Sequence, residues 1–324
     1  MAVRMKDIAD ELNLSRATVS RILNRKEGFL VSEHTKALVF ETAEKMQYRP
    51  NRQARSLATG RTFNIGLVVP SLAERTDPQF TQIFSTVEPK IREHGYRLGL
   101  FGDIESIASE HVVDGAVVIN SPNAPSVEPL KKIIPTMFVA PEIIADNCVT
   151  WSDADGTYQA VKHLVDAGHT NIAGVFCTGG AHKRRGFLKA VKESGLKYVE
   201  VCHSLSDDDY ENGYMLTGSL LEENSDITAI FARNDFIARG AIKAIRERGL
   251  SITDDISVVG YGDTILSRNS DPELTSVYAP VAEATIVAIE QILEAIDSKI
   301  NDFPLITLPT RLEIRNSSSI SKSK

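Results

Sequence analysis

The chain has 324 residues, of which 42% are hydrophobic and 24% are charged, and its formal net charge is −7. This composition is typical of a globular protein of two or three domains, and the absence of any run of eighteen apolar residues argues against a membrane-spanning helix. A charged N-terminus argues against a signal peptide, so we expect a cytoplasmic protein. The three cysteines, Cys148, Cys177 and Cys202, match no zinc or disulfide spacing, and we expect neither a metal nor another cofactor.

The charge is unevenly distributed along the chain. Residues 1–62 carry 12 basic and 7 acidic side chains, a net of +5, whereas the remaining 262 residues carry a net of −12. A basic segment on an acidic protein is typical of a polyanion-binding end. We therefore expect any binding to double-stranded DNA to involve this end and to weaken steeply with salt.

The basic segment begins with a pattern of two short helices. Residues 5–12 carry one apolar stripe at helical spacing, Asn13 can adopt the left-handed conformation that ends a helix, and Ser15 is a candidate N-cap for the second helix. The outward-facing residues of that second helix are then Arg16, Ala17, Ser20 and Arg21. The pattern predicts a helix-turn-helix that enters the DNA major groove, the alternative being an ordinary helical hairpin with solvated charges.

A third helix and a short basic segment follow. Ser32 begins a helix to about Met46, and we expect that helix to pack through Ala37, Phe40, Ala43 and Met46. Residues 48–62 then contain Pro50, which fits the first turn of a helix, and Gly60, which fits its end. So short a helix, with too few apolar residues to bury a face, should order only against a twin and DNA.

From residue 63 onwards, short apolar runs alternate with helical stretches. The predicted strands are 65–70, 96–101, 115–119, 136–140, 172–176, 200–204, 229–232 and 256–261, and the predicted helices are 80–94, 156–167, 183–194, 212–223, 236–248 and 281–299. This alternation predicts two doubly wound lobes of parallel strands, divided at about residues 150–155, with a ligand at the carboxyl ends of the strands. No nucleotide-binding, P-loop, hydrolase or zinc-protease motif occurs, which favours ligand binding over catalysis.

Three runs, MKDIADELNLSRATVSRILN, VSEHTKALVFETAEKMQYRPNRQARSLATGRT and IGLVVP, resemble the headpiece of the lactose/galactose-repressor (LacI/GalR) family of bacterial transcription regulators. The resemblance extends over nearly the whole chain. It implies an all-α helix-turn-helix headpiece followed by an α/β body of two doubly wound parallel-sheet lobes, like that of periplasmic binding proteins. The DNA-binding residues that it implies are Ser15, Arg16, Ala17, Thr18, Arg21, Asn24, Asn51, Arg52, Ala54, Arg55 and Leu57. Arg16 and Ala17 would read bases, and Leu57 would be an apolar wedge that kinks the duplex.

The same resemblance implies the domain boundaries. They are a headpiece at 1–48, a hinge at 49–62 and a two-lobed body at 63–316. The first lobe would comprise about 63–152 plus 280–303, and the second about 153–279 plus 304–316. The short serine–lysine tail, 317–324, is expected to be disordered.

The resemblance also names positions in the cleft between the lobes. The effector-binding residues that it implies are Ser71, Asp77, Phe80, Lys183, Arg184, Tyr210, Asn234 and Asp263, although Phe80 could equally belong to the core and Asp235 is expected to brace a helix. At two positions where sugar-responsive members commonly have an acidic hydrogen-bond acceptor, this chain has Ala140 and Gly262. Asp208 stands where a stacking aromatic is usual, with Tyr210 two positions on.

The prediction is a homodimeric, sequence-specific DNA-binding transcription regulator that reads a pseudo-palindromic operator and associates with the nucleoid when bound to DNA. We expect a repressor of carbohydrate-utilisation genes, controlled by a sugar or sugar phosphate bound between the lobes. Because each lost acceptor costs affinity for a sugar, a regulator of the same family that answers to a non-sugar ligand or a partner protein stays open. A solute-binding protein and a sugar-converting enzyme are the more distant alternatives.

Overall fold

The computed structural model describes residues 3–23, 31–49, 52–69, 78–119, 133–177, 180–298 and 301–320. Its contacts divide the chain into two units, Met1–Thr62 and Phe63–Lys324. The first unit contains four described helices, namely α1 (Met5–Glu11), α2 (Arg16–Leu23), α3 (Glu33–Lys45) and α4 (Arg52–Thr59). Its small core consists of Ile8, Ala9, Val19, Ile22, Val39 and Ala43.

The turn between α1 and α2 forms as its local sequence predicts. Asn13 has a positive φ of 52°, and the backbone N–H of Leu14 donates to the carbonyl oxygen of Ala9 at 2.9 Å, which closes the last turn of α1. Ser15 accepts a hydrogen bond from the backbone N–H of Thr18 at 3.0 Å and so caps α2. These local bonds fix the angle at which α2 leaves α1.

The packing face of α3 differs from the prediction. Val39 and Ala43 are buried, whereas Ala37 and Phe40 are exposed, Phe40 by 41%. Val39, Ala43 and Met46 follow the i, i+4, i+7 stripe of a helix, and this stripe rather than that of Phe40 meets α1 and α2. Two apolar stripes were available, and tertiary contacts with the shorter helices select the aliphatic one.

The body contains two sheets. The first sheet consists of β1 (Asn64–Val68), β2 (Arg97–Phe101), β3 (Gly115–Ile119), β4 (Thr136–Val139), β5 (Cys148–Thr150) and β11 (Ile306–Thr307). The second consists of β6 (Asn171–Val175), β7 (Lys197–Val201), β8 (Ala229–Ala232), β9 (Ser257–Gly262), β10 (Thr275–Tyr278) and β12 (Arg311–Glu313). The strand orders are β11-β5-β4-β3-β1-β2 and β12-β10-β9-β8-β6-β7. All described pairs are parallel except β10 with β12.

Helices pack on these sheets. The first lobe contains α5 (Pro78–Glu93), α6 (Glu105–Glu110) and α12 (Val281–Ser298), and the second contains α7 (Asp153–Asp166), α8 (Ala181–Glu193), α9 (Asp209–Glu223), α10 (Asp235–Glu247) and α11 (Ile265–Arg268). The two doubly wound, parallel-sheet lobes are thus confirmed. Strand β7 begins at Lys197 rather than at 200, because this edge strand is partly exposed and has no continuous apolar run. The sequence patterns missed the short strands β5 and β10.

The segment before the C-terminus is divided between the lobes, which corrects the predicted boundary. Strand β11 pairs in parallel with β5 of the first sheet, and β12 pairs with β10 of the second. Residues 304–316 therefore do not all belong to the second lobe. The physical reason is that β5 would otherwise leave its outer backbone groups without strand partners.

The prediction that residues 317–324 are disordered is wrong for their first part. Ser317 is fully buried, donates to the carbonyl oxygen of Val258 at 2.6 Å and accepts from the backbone N–H of Thr275 at 2.8 Å. Ser318 is 7% exposed. Serine is compatible with burial here because its hydroxyl satisfies backbone groups of the neighbouring strands. Residues 321–324 lie outside the described part.

Two histidines, the half-buried His163 and the buried His169, hold this C-terminal segment, and they predict a loss of stability in acid. His163 Nε2 lies 3.0 Å from Ser318 Oγ, and His169 Nε2 lies 3.1 Å from the carbonyl oxygen of Ser319. Burial lowers the pKa of both imidazoles below the ordinary 6.5, so the unfolded chain takes up protons first as the pH falls. The stability that these neutral histidines provide is present above pH 6.5 and lost below it.

Thermal unfolding at about pH 7.5 and pH 5.5 tests this prediction. Glutamine at position 169 keeps a neutral hydrogen-bonding side chain, so His169→Gln should show a smaller drop in Tm between the two pH values than the wild type. The exposed His203 offers a matched control, and His203→Gln should leave the drop unchanged. Equal drops in the wild type and His169→Gln would contradict this account. Comparing variants matters because burial raises the pKa of Asp235 to about 6, which acts in the opposite direction.

A close helix contact in the second lobe depends on a glycine. A Cβ atom at Gly186 on α8 would overlap the backbone carbonyl group of Ala154 on α7. Because that obstacle is backbone, the helices would have to separate, and we expect Gly186→Ala to lower the free energy of unfolding by about 3 kcal/mol. Lys192→Ala, on the exposed face of the same helix, should change it by less than about 0.5 kcal/mol. Chemical denaturation measures both, and equal values would refute the close-contact explanation.

Candidate nucleic-acid interface and interlobe cleft

Helix α2 presents a polar, basic face. Ser15, Arg16, Ala17 and Arg21 are exposed, whereas Val19 and Ile22 on the opposite side are buried. The face contains small and basic side chains near the helix N-terminus, where a helix lying in the major groove approaches the base edges. Thr18 is half-buried and shares a hydrogen bond with Ser15. The predicted position Asn24 lies outside the described residues.

Helix α4 presents an apolar side chain to solvent. It ends as predicted at Gly60, which has a φ of +69° and whose backbone N–H donates to Ser56 at 2.8 Å. Leu57 is 88% exposed, and Arg55 is also exposed. An exposed leucine on a short basic helix is what an intercalating wedge requires. Of the other predicted hinge residues, Arg52 and Ala54 lie on this helix, and Asn51 lies outside the described residues.

In the body, the carboxyl ends of strands from both lobes meet at a cavity of about 170 Å³. Its lining residues are Gln79, Pro141, Trp151, Asp153, Lys183, Asn234, Asp235, Phe236, Tyr261, Gly262, Thr264, Ala279 and Val281. They follow or flank strands β1, β4, β5, β6, β8, β9 and β10. A doubly wound fold places its ligands at such a position. Two predicted effector-binding residues, Lys183 and Asn234, lie in this lining.

Lys183 belongs to a cluster centred on Asp153. The Oδ1 atom of Asp153 accepts hydrogen bonds from the indole N–H of Trp151 at 2.9 Å and from the hydroxyl of Tyr261 at 2.6 Å. Lys183 Nζ lies 3.8 Å from Asp153 Oδ2 and 3.8 Å from the centroid of the Tyr261 ring, and it donates to the carbonyl oxygen of Arg233 at 3.3 Å. Burial, and then the charge of Asp153, raises the pKa of Tyr261 well above its ordinary value, so its phenol remains a donor.

Asn234 and Asp235 make mainly structural contacts. Asn234 donates to Asp209 at 2.6 Å and accepts from the backbone N–H of Ile237 at 2.9 Å, which caps α10. Asp235 is 1% exposed and accepts from both the backbone N–H and the hydroxyl of Thr264, each at 2.8 Å. Asp235 therefore has a structural role, as expected, but it braces the segment after β9 rather than the helix that follows it.

Three predicted effector-binding residues do not reach the cavity. Arg184 forms a two-bond ion pair with Glu200, at 2.8 and 2.6 Å. Asp263 is 2% exposed and is paired with Arg315 at 2.6 Å. Tyr210 lines a separate depression beside α10. The lining of this cavity therefore includes none of these three predicted residues.

The remaining predictions concern the first lobe. Phe80 is partly buried and packs against the hydrophobic core, which corresponds to the alternative role considered for it. Ser71 and Asp77 lie outside the described residues. Three residues of the cavity lining, Trp151, Asp153 and Tyr261, were not predicted from the sequence. A signal was available, because Trp151 is the single tryptophan of the chain and polar residues follow it at a strand end.

One ion pair spans the two lobes beside the cavity. Glu142 lies between β4 and β5 of the first lobe, and its carboxylate accepts from Arg185 at 2.7 Å and from the backbone N–H of Ala154 at 2.8 Å. Burial acts to raise the pKa of Glu142, but the hydrogen bonds from Ala154, Ser152 and Arg185 lower it overall. The carboxylate is therefore charged at neutral pH and holds the N-terminal ends of α7 and α8.

The described residues contain neither a candidate membrane span nor a candidate metal cluster. No helix in the described ranges combines the length and apolarity needed to cross a bilayer. Within the same ranges, no group of three histidine, cysteine, aspartate or glutamate side chains is placed to hold a metal ion.

Comparison with known proteins supports both units. Residues 4–51 match the model of the family described as bacterial regulatory proteins, lacI family, and residues 161–318 match the periplasmic binding protein-like domain. Catabolite control protein A of Priestia megaterium is 31% identical, with 98% of this chain and 99% of the relative covered.

Two crystal structures resemble the whole chain or its body. The lac repressor dimer bound to operator and the anti-inducer ONPF has a TM-score of 0.79 at 25% identity, covering 98% of this chain and 100% of the other. A LacI family regulator from Enterococcus faecium with bound ribose has a TM-score of 0.68 at 26% identity, covering 80% of this chain and 100% of the other. The chain therefore belongs to the lacI family of bacterial regulatory proteins and is a DNA-binding transcription regulator.

Proposed function

We propose that the chain is a homodimeric repressor that reads a pseudo-palindromic operator. The observation that carries this proposal is the exposed face of α2, with Arg16, Ala17 and Arg21, set by the turn at Asn13. One such helix contacts few base pairs, so two symmetric copies are needed to specify an operator. The lac repressor structure, which holds a dimer on its operator, supports this arrangement.

Helix α4 would act as the hinge that couples the body to DNA. With Arg55 and Leu57 exposed, it has little apolar surface of its own to bury, and an isolated helix of eight residues is marginal in water. It would pair with the α4 of the second protomer in the minor groove. A ligand that changes the angle between the lobes would change the spacing of the two hinges and so the specific affinity for operator.

The cavity between the lobes would bind a sugar-like effector. Its polar side chains, its aromatic walls and its place at the strand ends support this function, as does the ribose in the Enterococcus faecium regulator. The relatives are transcription regulators, and we assign the cavity a binding role rather than a catalytic one. The products of the regulated genes would then act in carbohydrate utilisation.

A second candidate is a regulator that answers to a non-sugar ligand or a partner protein. It is favoured by Ala140 and Gly262, which stand where sugar-responsive members have acceptors. Calorimetric titration with neutral sugars, sugar phosphates and nucleobases separates the candidates. If the effector is not a sugar, none of the sugars or sugar phosphates should bind.

Selection of duplexes from a random pool tests the proposed function. The full-length protein should enrich one pseudo-palindromic sequence, with the two protomers each reading a half-site. Fluorescence anisotropy should then show an affinity for that duplex at least about 1,000-fold above that for random DNA at the same salt. Failure to enrich any sequence, with and without the effectors tried, would refute the proposal.

A further inference from the structure

We propose that Asp153 is the principal acceptor for the effector, and that the cavity takes a neutral polyhydroxyl ligand rather than a phosphorylated or carboxylated one. The inference rests on the proposed function and concerns the ligand of the same cavity. It assigns a binding role to a residue that the resemblance to the family did not name. It also predicts that neutral sugars bind in preference to sugar phosphates.

The two oxygens of Asp153 are in different situations. Oδ1 is held by two donors, Trp151 and Tyr261, at 2.9 and 2.6 Å. Within the described ranges, Oδ2 accepts no hydrogen bond, and the charged group beside it is the ammonium of Lys183 at 3.8 Å. Asp153 is 9% exposed and lines the cavity. Its carboxylate is thus fixed in orientation by the protein and has acceptor capacity left at the cavity wall.

The spacing of Asp153 Oδ2 and Lys183 Nζ fits one hydroxyl group. Two atoms 3.8 Å apart can both lie about 2.8 Å from a single oxygen placed between them. A hydroxyl donates one hydrogen bond and accepts others, so it can donate to the carboxylate while it accepts from the ammonium. An ionised phosphate or carboxylate oxygen has no proton to donate and would meet Asp153 Oδ2 as a like charge.

The charge of the lining gives the same preference. Its charged side chains among the described residues are Asp153, Asp235 and Lys183, two carboxylates against one ammonium. The positive charge of Lys183 already lies beside Asp153. An anionic ligand would therefore lose its hydration without gaining a net positive partner, which is costly in a partly closed cavity.

The size and the apolar parts of the cavity fit a single sugar ring. A volume of about 170 Å³ is well below the ~300–1,000 Å³ of pockets for drug-sized ligands. Trp151, Phe236 and Tyr261 contribute aromatic surface against which the C–H groups of a ring can pack. Asp153 also explains how the chain tolerates Ala140 and Gly262, because it supplies an acceptor from the start of α7.

The intrinsic fluorescence of Trp151 can report ligand binding. Trp151 is the single tryptophan, and its indole N–H is bonded to the carboxylate in question, so a ligand at Asp153 should change the intrinsic fluorescence. The probes are D-ribose, D-glucose and D-galactose, each with its 5- or 6-phosphate ester, titrated into the full-length protein and repeated by calorimetry. At least one neutral sugar should bind, at least ten times more tightly than its phosphate ester.

Two variants that each remove one negative charge distinguish an effect on ligand binding from an effect on structure. Asp153→Asn keeps an acceptor for Trp151 and Tyr261 but turns an amide N–H₂ towards Lys183, so affinity for the neutral sugar should fall by roughly 10- to 100-fold. Asp155→Asn removes a charge from an exposed position on the same helix turn and should change it by less than about twofold. The wild-type preference for neutral sugars remains a test even if Asp153→Asn fails to fold.

Three outcomes would overturn the inference. The first is a phosphate ester that binds as tightly as its sugar. The second is an Asp153→Asn protein that binds the sugar as tightly as the wild type, and the third is the absence of binding by every neutral sugar tested. The proposed DNA function fails by a different result, namely the absence of an enriched duplex. A protein that selects an operator and binds a sugar independently of Asp153 would therefore retain the proposed function and refute this inference alone.

Discussion

Replacing Leu57 by alanine is expected to weaken binding to the selected operator by about 100-fold or more at fixed salt. Leu57 is 88% exposed, so the substitution removes almost no intramolecular packing. Alanine also has the higher helix propensity, so α4 is not weakened as a helix. The affinity should fall because the leucine side chain is the apolar wedge that inserts between two base pairs, and an alanine side chain is too short to insert there.

Anisotropy titrations with operator and random duplexes measure this effect. Affinity for random DNA should change little, because that binding is carried by contacts of basic side chains with phosphates. Leu205→Ala removes another exposed leucine, 56% exposed in the body, and should leave operator affinity unchanged. Arg55→Ala should also weaken operator binding and should reduce its salt dependence. Operator affinity equal to that of the wild type in Leu57→Ala would refute the hinge mechanism.

The helical unit was predictable because its signals are local. The positive φ of Asn13, the cap at Ser15 and the stop at Gly60 each depend on bonds within a few residues of one another. The alternation of strands and helices in the body was predictable for a related reason, since a strand buried on both faces needs a continuous apolar run. Strand β7, at an exposed edge, lacks that run and was misplaced.

The cavity was less predictable because distant residues decide which side chains reach it. Lys183 and Arg184 are neighbours in sequence, but successive residues of a helix point about 100° apart, and only Lys183 lines the cavity. Arg184 is held by Glu200 on another element. The single-sequence pattern contains no sign of that partner. The same holds for the C-terminal serines, whose polar composition is typical of disorder until the backbone groups that they satisfy are known.

Asp263 provides a further case, and the largest expected effect on stability. This carboxylate is 2% exposed, and Arg315 reaches it from the C-terminal segment at 2.6 Å. Arg315 also donates to the carbonyl oxygen of Leu274 at 2.7 Å, and Ser267 donates to Asp263 at 2.8 Å. The ion pair therefore joins the segment after β9 to the end of the chain. A residue expected to bind effector instead holds the second lobe together.

Replacing Arg315 by methionine should lower the free energy of unfolding by about 3–5 kcal/mol at pH 7, because a buried carboxylate loses its main counter-charge. Arg268, 3.1 Å from the other oxygen of Asp263, is 55% exposed and can compensate only in part. Arg311→Met, at the exposed first residue of β12, should cost less than about 1 kcal/mol. Urea denaturation measures both variants.

The combination Asp263→Asn with Arg315→Met should recover part of the loss, since no uncompensated charge is then buried. An Arg315→Met protein as stable as the Arg311→Met control would show that Asp263 is balanced by other groups, and the structural role assigned to this pair would be wrong.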